Sequence, residues 1–223
     1  MSSDRRPLIL MSPAILWLFA LMVVPCALIL VLAFFRRGIY GGIEYTWTLE
    51  NLTLVFDPLY FNIFLKSAGI AGLSASIACV LGYAAAYAIA AMPRRNQPLL
   101  LFFAVLPFWS NYLVRTYAWI VLLNREGLIV NLARWVGYKG ELPSMLYTEE
   151  AVVIGLVYNY LPFVILSCYA PLSRLNPEIT EASHDLGASA WTTFRRITLP
   201  MTLPGIVTGF VFVFVLSIGN FVT

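Results

Sequence analysis

Apolar residues in this chain come in long blocks, not in the alternation of a half-buried strand or the short period of an amphipathic helix. From Leu8 to Phe35 only Ser12, Pro13 and Pro25 interrupt the run. Further blocks fill Phe64 to Met92, Leu99 to Leu123, Ala151 to Leu172 and the stretch from Pro204 to Thr223. A helix needs roughly 20 apolar residues to cross the hydrocarbon core. The pattern therefore predicts five membrane-spanning helices, over residues 12–35, 64–92, 99–123, 151–172 and 203–223. The first block is about twice a signal-peptide core of ~7–15 residues and lacks a small-x-small site before its charged end, so it reads as an uncleaved span. Pro25 is expected to kink it, which neighbouring helices tolerate in a membrane.

The polar intervals add detail. Arg36 to Asn62 reads as a loop, with Tyr40, Tyr45, Trp47 and Tyr60 suited to a membrane–water interface. Pro93 to Pro98 is a tight turn bearing Arg94 and Arg95, and Leu128 to Val136 predicts a short surface helix anchored by Trp135. In the second span Ser74, Ala78, Gly82, Ala86 and Ala90 recur every four residues, a stripe that lets another helix backbone come close.

Composition sets the class. With 61% hydrophobic and 11% charged residues, the chain is a polytopic membrane protein rather than a soluble domain. Its net charge of +3 comes mostly from arginines near span ends, which argues for orientation and against a nucleic-acid partner. With the N-terminus inside, Arg5, Arg6, Arg94, Arg95, Arg174, Arg195 and Arg196 are cytoplasmic, seven against six cations outside. The bias is small, but the inside segments are shorter, and the N-terminus is taken as cytoplasmic. Cys26, Cys79 and Cys168 are scattered through apolar runs and form no disulfide framework.

Between the fourth and fifth spans lies a polar island, residues 173–200. Asn176 is a helix cap, Pro177 suits the first helical position, and Glu178 favours the first turn. Ile179, Ala182 and Leu186 share one helix face, and Gly187 permits a change of direction. Trp191, Phe194 and Ile197 mark a second apolar face leading into Pro200. By periodicity alone this is either a helix resting on membrane lipid, with Arg195 and Arg196 at the headgroups, or a ridge for a partner's groove.

The spacing separates the two. Glu181-Ala182-Ser183, three residues, Gly187, nine residues, then Ile197-Thr198-Leu199-Pro200 resembles the loop by which permease subunits of bacterial ATP-binding-cassette (ABC) importers dock on their ATPase. Ser183 stands where that pattern has a second Ala. The resemblance implies docking roles for Glu181, Ala182, Ser183, Asp185, Leu186, Gly187, Ile197, Leu199 and Pro200. It also implies an all-α type I importer permease core in the bacterial inner membrane. Such cores usually have a sixth span, so a truncated or naturally short copy is expected. The segment Pro107 to Trp119 further resembles spermidine/putrescine importer permeases, and permeases for iron, sulfate and other solutes share parts of it. The implied partners are a dimer of ATPases holding ATP and Mg, a second permease subunit and an extracytoplasmic solute-binding protein.

Candidate chemistry is sparse. The only lysines, Lys66 and Lys139, sit in no GxxxxGK[ST] loop, so ATP hydrolysis is expected in another chain and no cofactor in this one. His184 is the sole histidine, which excludes a histidine-rich metal site or a Ser-His-Asp triad elsewhere. A polycationic cargo calls for aromatic faces and amide oxygens, and Trp109, Tyr112, Tyr158, Asn159 and Asn220 offer them at mid-span. The same groups equally suit hydrogen bonds between helices. Arg115 is the one arginine inside a span; it snorkels, pairs with a partner's acid, or lines a path for anions. A secondary transporter or channel would call for intramembrane charges or repeats, and a membrane enzyme for clustered acids, His or Cys. The expected function is translocation of polyamines into the cytoplasm, with another small solute as the alternative.

Overall fold

The computed structural model of the chain describes residues 6–38, 41–124, 127–135 and 146–220. It divides into two compact units, Met1–Leu65 and Lys66–Thr223.

In the smaller unit, α1 (Arg6–Leu32) contains Pro13 and Pro25, and none of its apolar stretch Met11–Leu32 is buried. A surface of that kind suits lipid. The interval expected to be a loop is more ordered than its composition implied. Strands β1 (Phe35–Arg37) and β2 (Ile43–Trp47) pair antiparallel, with Arg36 opposite Glu44 and Arg37 opposite Ile43. Gly41 and Gly42 take φ of +87° and +88° at the turn, a conformation that costs glycine little. Phe35 meets Tyr45 and Trp47 ring to ring. Asn51, in α2 (Glu50–Leu54), donates from Nδ2 to the carbonyls of Ala33 and Phe35 at 3.1 and 2.8 Å, fastening α2 to the hairpin. Tyr45, Trp47 and Tyr60 are exposed, and Tyr40 lies outside the described residues.

The larger unit holds most of helix α3 (Pro58–Ala91), then α4 (Gln97–Val105), α5 (Tyr112–Leu123), α6 (Leu128–Trp135), α7 (Glu149–Leu172), α8 (Pro177–Asp185), α9 (Ala190–Thr193) and α10 (Leu199–Ile218). Helices α3 and α7 run parallel. Lys66 Nζ meets Glu149 Oε1 at 2.6 Å near their starts, and near their ends Tyr169 donates to Gln97 Oε1 at 2.7 Å. Gln97 in turn donates to the carbonyls of Ala90 and Met92, which the end of α3 leaves without helical partners. That closes the Pro93 turn on α7.

The core lies among α3, α7 and α10 and is built on absent side chains. Ser74, Ala78, Gly82 and Ala86 of the small-residue stripe are all buried. A Cβ on Gly82 would stand 2.7 Å from Cγ1 of Val164, whose own exposure is 0%. From the other side, Gly205 and Gly209 of α10 press on α7: a Cβ there would come 2.5 Å from the Ser167 carbonyl oxygen and 2.6 Å from Ser167 Oγ. Backbones in lipid associate by such contact because burial from water offers no further drive.

The third apolar block is not one straight span. It breaks after α4 into a 3-10 turn, Leu106–Trp109, and resumes as α5 at 85° to the first part. Pro107 removes a backbone donor there, and Asn111 restarts the helix by accepting from Leu113 N at 2.9 Å. The fifth helix begins earlier than Pro204 implied. α10 starts at Leu199 and carries Pro204 inside it, where the loss of one helical hydrogen bond is tolerated. Residues 221–223 lie outside the described residues.

Gly205→Ala is expected to lower stability by about 1–3 kcal/mol through overpacking. Gly155→Ala, whose Cβ would meet nothing within 4 Å, should leave it unchanged or slightly higher. Thermal unfolding of the two variants in detergent checks this.

Candidate functional site

The polar island folds as a compact corner. Asn176 Oδ1 accepts from Glu178 N at 3.1 Å, which starts α8 as its sequence indicated. At the other end Gly187 N donates to the His184 carbonyl at 2.9 Å and Ala188 N to the Ser183 carbonyl at 3.0 Å. With Gly187 at φ +79°, this is a Schellman closure. Ser189 Oγ then accepts from Thr192 N at 3.3 Å and starts α9.

From α9 the chain enters a π-turn, Phe194–Thr198, and continues into α10. The turn is locked to α3. The Phe194 ring stands edge-on to Tyr83 and Tyr87, at 6.2 and 5.7 Å between centroids, and Trp191 stacks on its outer side. Thr202 Oγ1 donates to the Thr198 carbonyl at 2.8 Å, so the Tyr83 hydroxyl, 2.9 Å away, is the donor to Thr202. A cavity of about 220 Å³ remains beneath the corner, lined among others by Tyr87, Leu172, His184, Thr193 and Thr198.

The expected docking residues divide between two faces. Glu181, Ala182, Asp185, Leu186, Gly187 and Pro200 are exposed, while Ile197 and Leu199 are half-buried. Leu186 is 89% exposed, and with Ile179 and Ala182 it forms an outward apolar ridge. Ser183 points the other way. It is buried, its Oγ donates to the Thr180 carbonyl at 2.8 Å, and it lies 2.7 Å from Thr193 Oγ1. His184 Nδ1 sits 3.1 Å from the Ala188 carbonyl, within the corner.

The expected path residues are only partly brought together. Near the middle of α7, Asn220 Nδ2 donates to the hydroxyls of Tyr112 and Tyr160 at 3.2 and 3.4 Å, and Tyr160 donates to the Leu216 carbonyl. This neutral cluster joins α5, α7 and the end of α10. Tyr160 was not among the expected path residues. Its place beside Asn159 in an apolar run was the available signal, but the sequence does not say which neighbour faces inward. Asn159 is 3% exposed, its Oδ1 has no partner, and it lines a separate cavity of about 190 Å³ with Thr116 and Trp119. Tyr158 stands edge-on to Trp119, and Trp109 is 74% exposed, packing on Phe102.

Arg115 neither snorkels nor meets an acid among the described residues. It is buried, reaching back to the broken segment, where Nη1 donates to the Pro107 carbonyl at 3.1 Å and the guanidinium lies 5.3 Å from the Phe108 ring centroid. Ser110 Oγ donates to the same carbonyl at 2.7 Å. A carbonyl taking a charged donor as well as a neutral one holds the bend from both sides.

Residues 79–223 match the family described as binding-protein-dependent transport system inner membrane component. The spermidine/putrescine transport system permease protein PotB of Escherichia coli is 38% identical over 206 residues, 92% of this chain and 74% of the relative. PotB of Haemophilus influenzae is 36% identical over 205 residues, 92% and 72% of the two chains. A probable sulfate transport system permease protein, cysT, of Chlorella vulgaris is 25% identical over 172 residues, 77% of this chain and 63% of the relative. Among solved structures, a chain of a bacterial ABC transporter involved in the import of the acidic polysaccharide alginate matches with a TM-score of 0.72 at 19% identity, covering 94% of this chain and 72% of its own length.

Arg115→Lys keeps the charge but loses the planar fork and its seat on Phe108. It is expected to cost about 1–3 kcal/mol, the range for leaving a buried acceptor short of its charged donor. A lower unfolding temperature in detergent is the readout, and an unchanged one means the guanidinium does not hold the bend.

Proposed function

Because the chain belongs to the binding-protein-dependent transport system inner membrane components, with the fold of a type I ABC importer permease, we propose that it is the subunit carrying polyamines across the bacterial inner membrane, driven by ATP hydrolysis in a partner chain. In this reading α1, α3, the bent pair α4 and α5, α7 and α10 cross the bilayer. The N-terminus is cytoplasmic, so the corner made by α8 and α9 faces the cytoplasm. Arg94, Arg95, Arg174, Arg195 and Arg196 then gather at the cytoplasmic end of the larger unit, and the Lys66–Glu149 pair lies at the other.

The observation that carries the docking role is the exposed ridge of Ile179, Ala182 and Leu186 on a helix closed at both ends. An apolar ridge left in water on an ordered helix fits a groove in a partner. The partner is a dimer of ATPases holding ATP and Mg. A second permease and an extracytoplasmic solute-binding protein complete the importer. Closure of the ATPases moves α8, and the cavity between the permeases switches its opening.

Likeness along nearly the whole chain to two spermidine/putrescine permeases supports the cargo. The Tyr112, Tyr160 and Asn220 cluster suits it, since aromatic faces and amide oxygens take ammonium groups without a fixed acid. The Arg115 guanidinium is turned to the Pro107 carbonyl and so is partly withdrawn from repelling a cation. One observation favours an anion instead: Arg115 Nε is buried without a partner.

Reconstitution with the ATPase, second permease and binding protein tests both parts. Spermidine is expected to stimulate ATP hydrolysis and sulfate is not. Leu186→Asp should weaken ATPase association at least about tenfold, as loss of an interface anchor does. Normal association of that variant sinks the docking role, and stimulation by sulfate alone sinks the cargo.

A further inference from the structure

Helix α8 meets the segment leading into α10 through a pair of buried hydroxyls. Ser183 is 7% exposed and Thr193 3%. Ser183 has one hydroxyl hydrogen, which goes to the Thr180 carbonyl at 2.8 Å. The 2.7 Å contact with Thr193 is therefore made by the Thr193 hydroxyl donating to Ser183 Oγ. One directed chain thus runs from Thr193 through Ser183 to the backbone of α8. On the far side Thr193 is followed at once by Phe194, which packs edge-on against Tyr83 and Tyr87, and further on by Thr198, whose carbonyl accepts from Thr202 inside α10.

We infer that the Ser183–Thr193 pair is a positioning latch that makes α8 and α10 move as one body, so that displacement of α8 by the ATPase reaches the membrane span undiminished. The inference rests on the docking reading of α8 and adds the residues through which the movement passes. The corner has few other ties of this kind. Leu186, Gly187 and the ridge face outward, and the cavity of about 220 Å³ beneath leaves α8 room to slide if the latch opens. Removing either hydroxyl breaks this chain, and removing both can break it no further. The two residues should therefore behave as a coupled pair.

The test uses the whole importer complex, in a Cys26→Ala background, with spin labels at Glu178→Cys on α8 and Phe212→Cys on α10, both exposed positions. In the otherwise unchanged complex the distance between labels is expected to stay constant when ATP is added. Ser183→Ala and Thr193→Val should each keep the ATPase bound yet shift and broaden that distance on ATP. Thr193→Ser should return it toward the parent, and the double variant should shift it no further than the single ones. A distance that already changes in the parent, single variants that leave it constant, or single variants that lose the ATPase each overturn the latch. If the parent complex holds no ATPase, the docking reading fails, and that outcome is distinct from all the others.

Discussion

Val164 is closed in by two helices that lack side chains where they meet it. A Cβ added to Gly82 of α3 would stand 2.7 Å from Val164 Cγ1, and one added to Gly209 of α10 would stand 3.3 Å from Val164 and 2.6 Å from Ser167 Oγ. In water such a core would be poor, because glycine and alanine bury little apolar area. In lipid the balance differs, since dispersion between close backbones is what remains to hold helices together. The parallel pair α3 and α7 and the antiparallel α10 are thereby fixed against one another. The corner of α8 and α9 then hangs from a rigid three-helix frame.

That frame gives the short polar loop a fixed base, which the proposed lever role requires. Its backbone is closed by the Schellman turn at Gly187, and its rear face is tied by Phe194 to α3 and by Thr202 to Tyr83. The apolar side chains left outside, Leu186 above all, form the surface proposed to meet a partner. The loop thus has an inner face made of hydroxyls and rings and an outer face made of aliphatic and charged groups. The proposed docking role would use both, one to receive force and one to pass it on.

The bent third segment solves a different problem. A break in an apolar segment must satisfy its own backbone, and here the Pro107 carbonyl receives Ser110 and Arg115 together. The Arg115 charge is thus turned to the fold's own break. What remains at the centre is a neutral cluster of two tyrosines and an asparagine.

Local spacing settled much of this. Apolar blocks of bilayer length announced the helices, the four-residue stripe from Ser74 announced the packing face of α3, and Asn176, Pro177 and Gly187 announced both ends of α8. Each of these depends on neighbours within a turn or two. The hairpin after α1 carried a signal as well, in Gly41-Gly42 before Ile43 to Trp47, which its polar composition obscured. Tertiary structure decided the rest. It bent the third segment by 85°, turned Ser183 inward to Thr193 and chose Tyr160 over Trp109 for the central cluster. The reason is physical: helix period fixes which residues share a face, but only chains far apart in sequence, meeting at Val164 and Phe194, determine which face is covered.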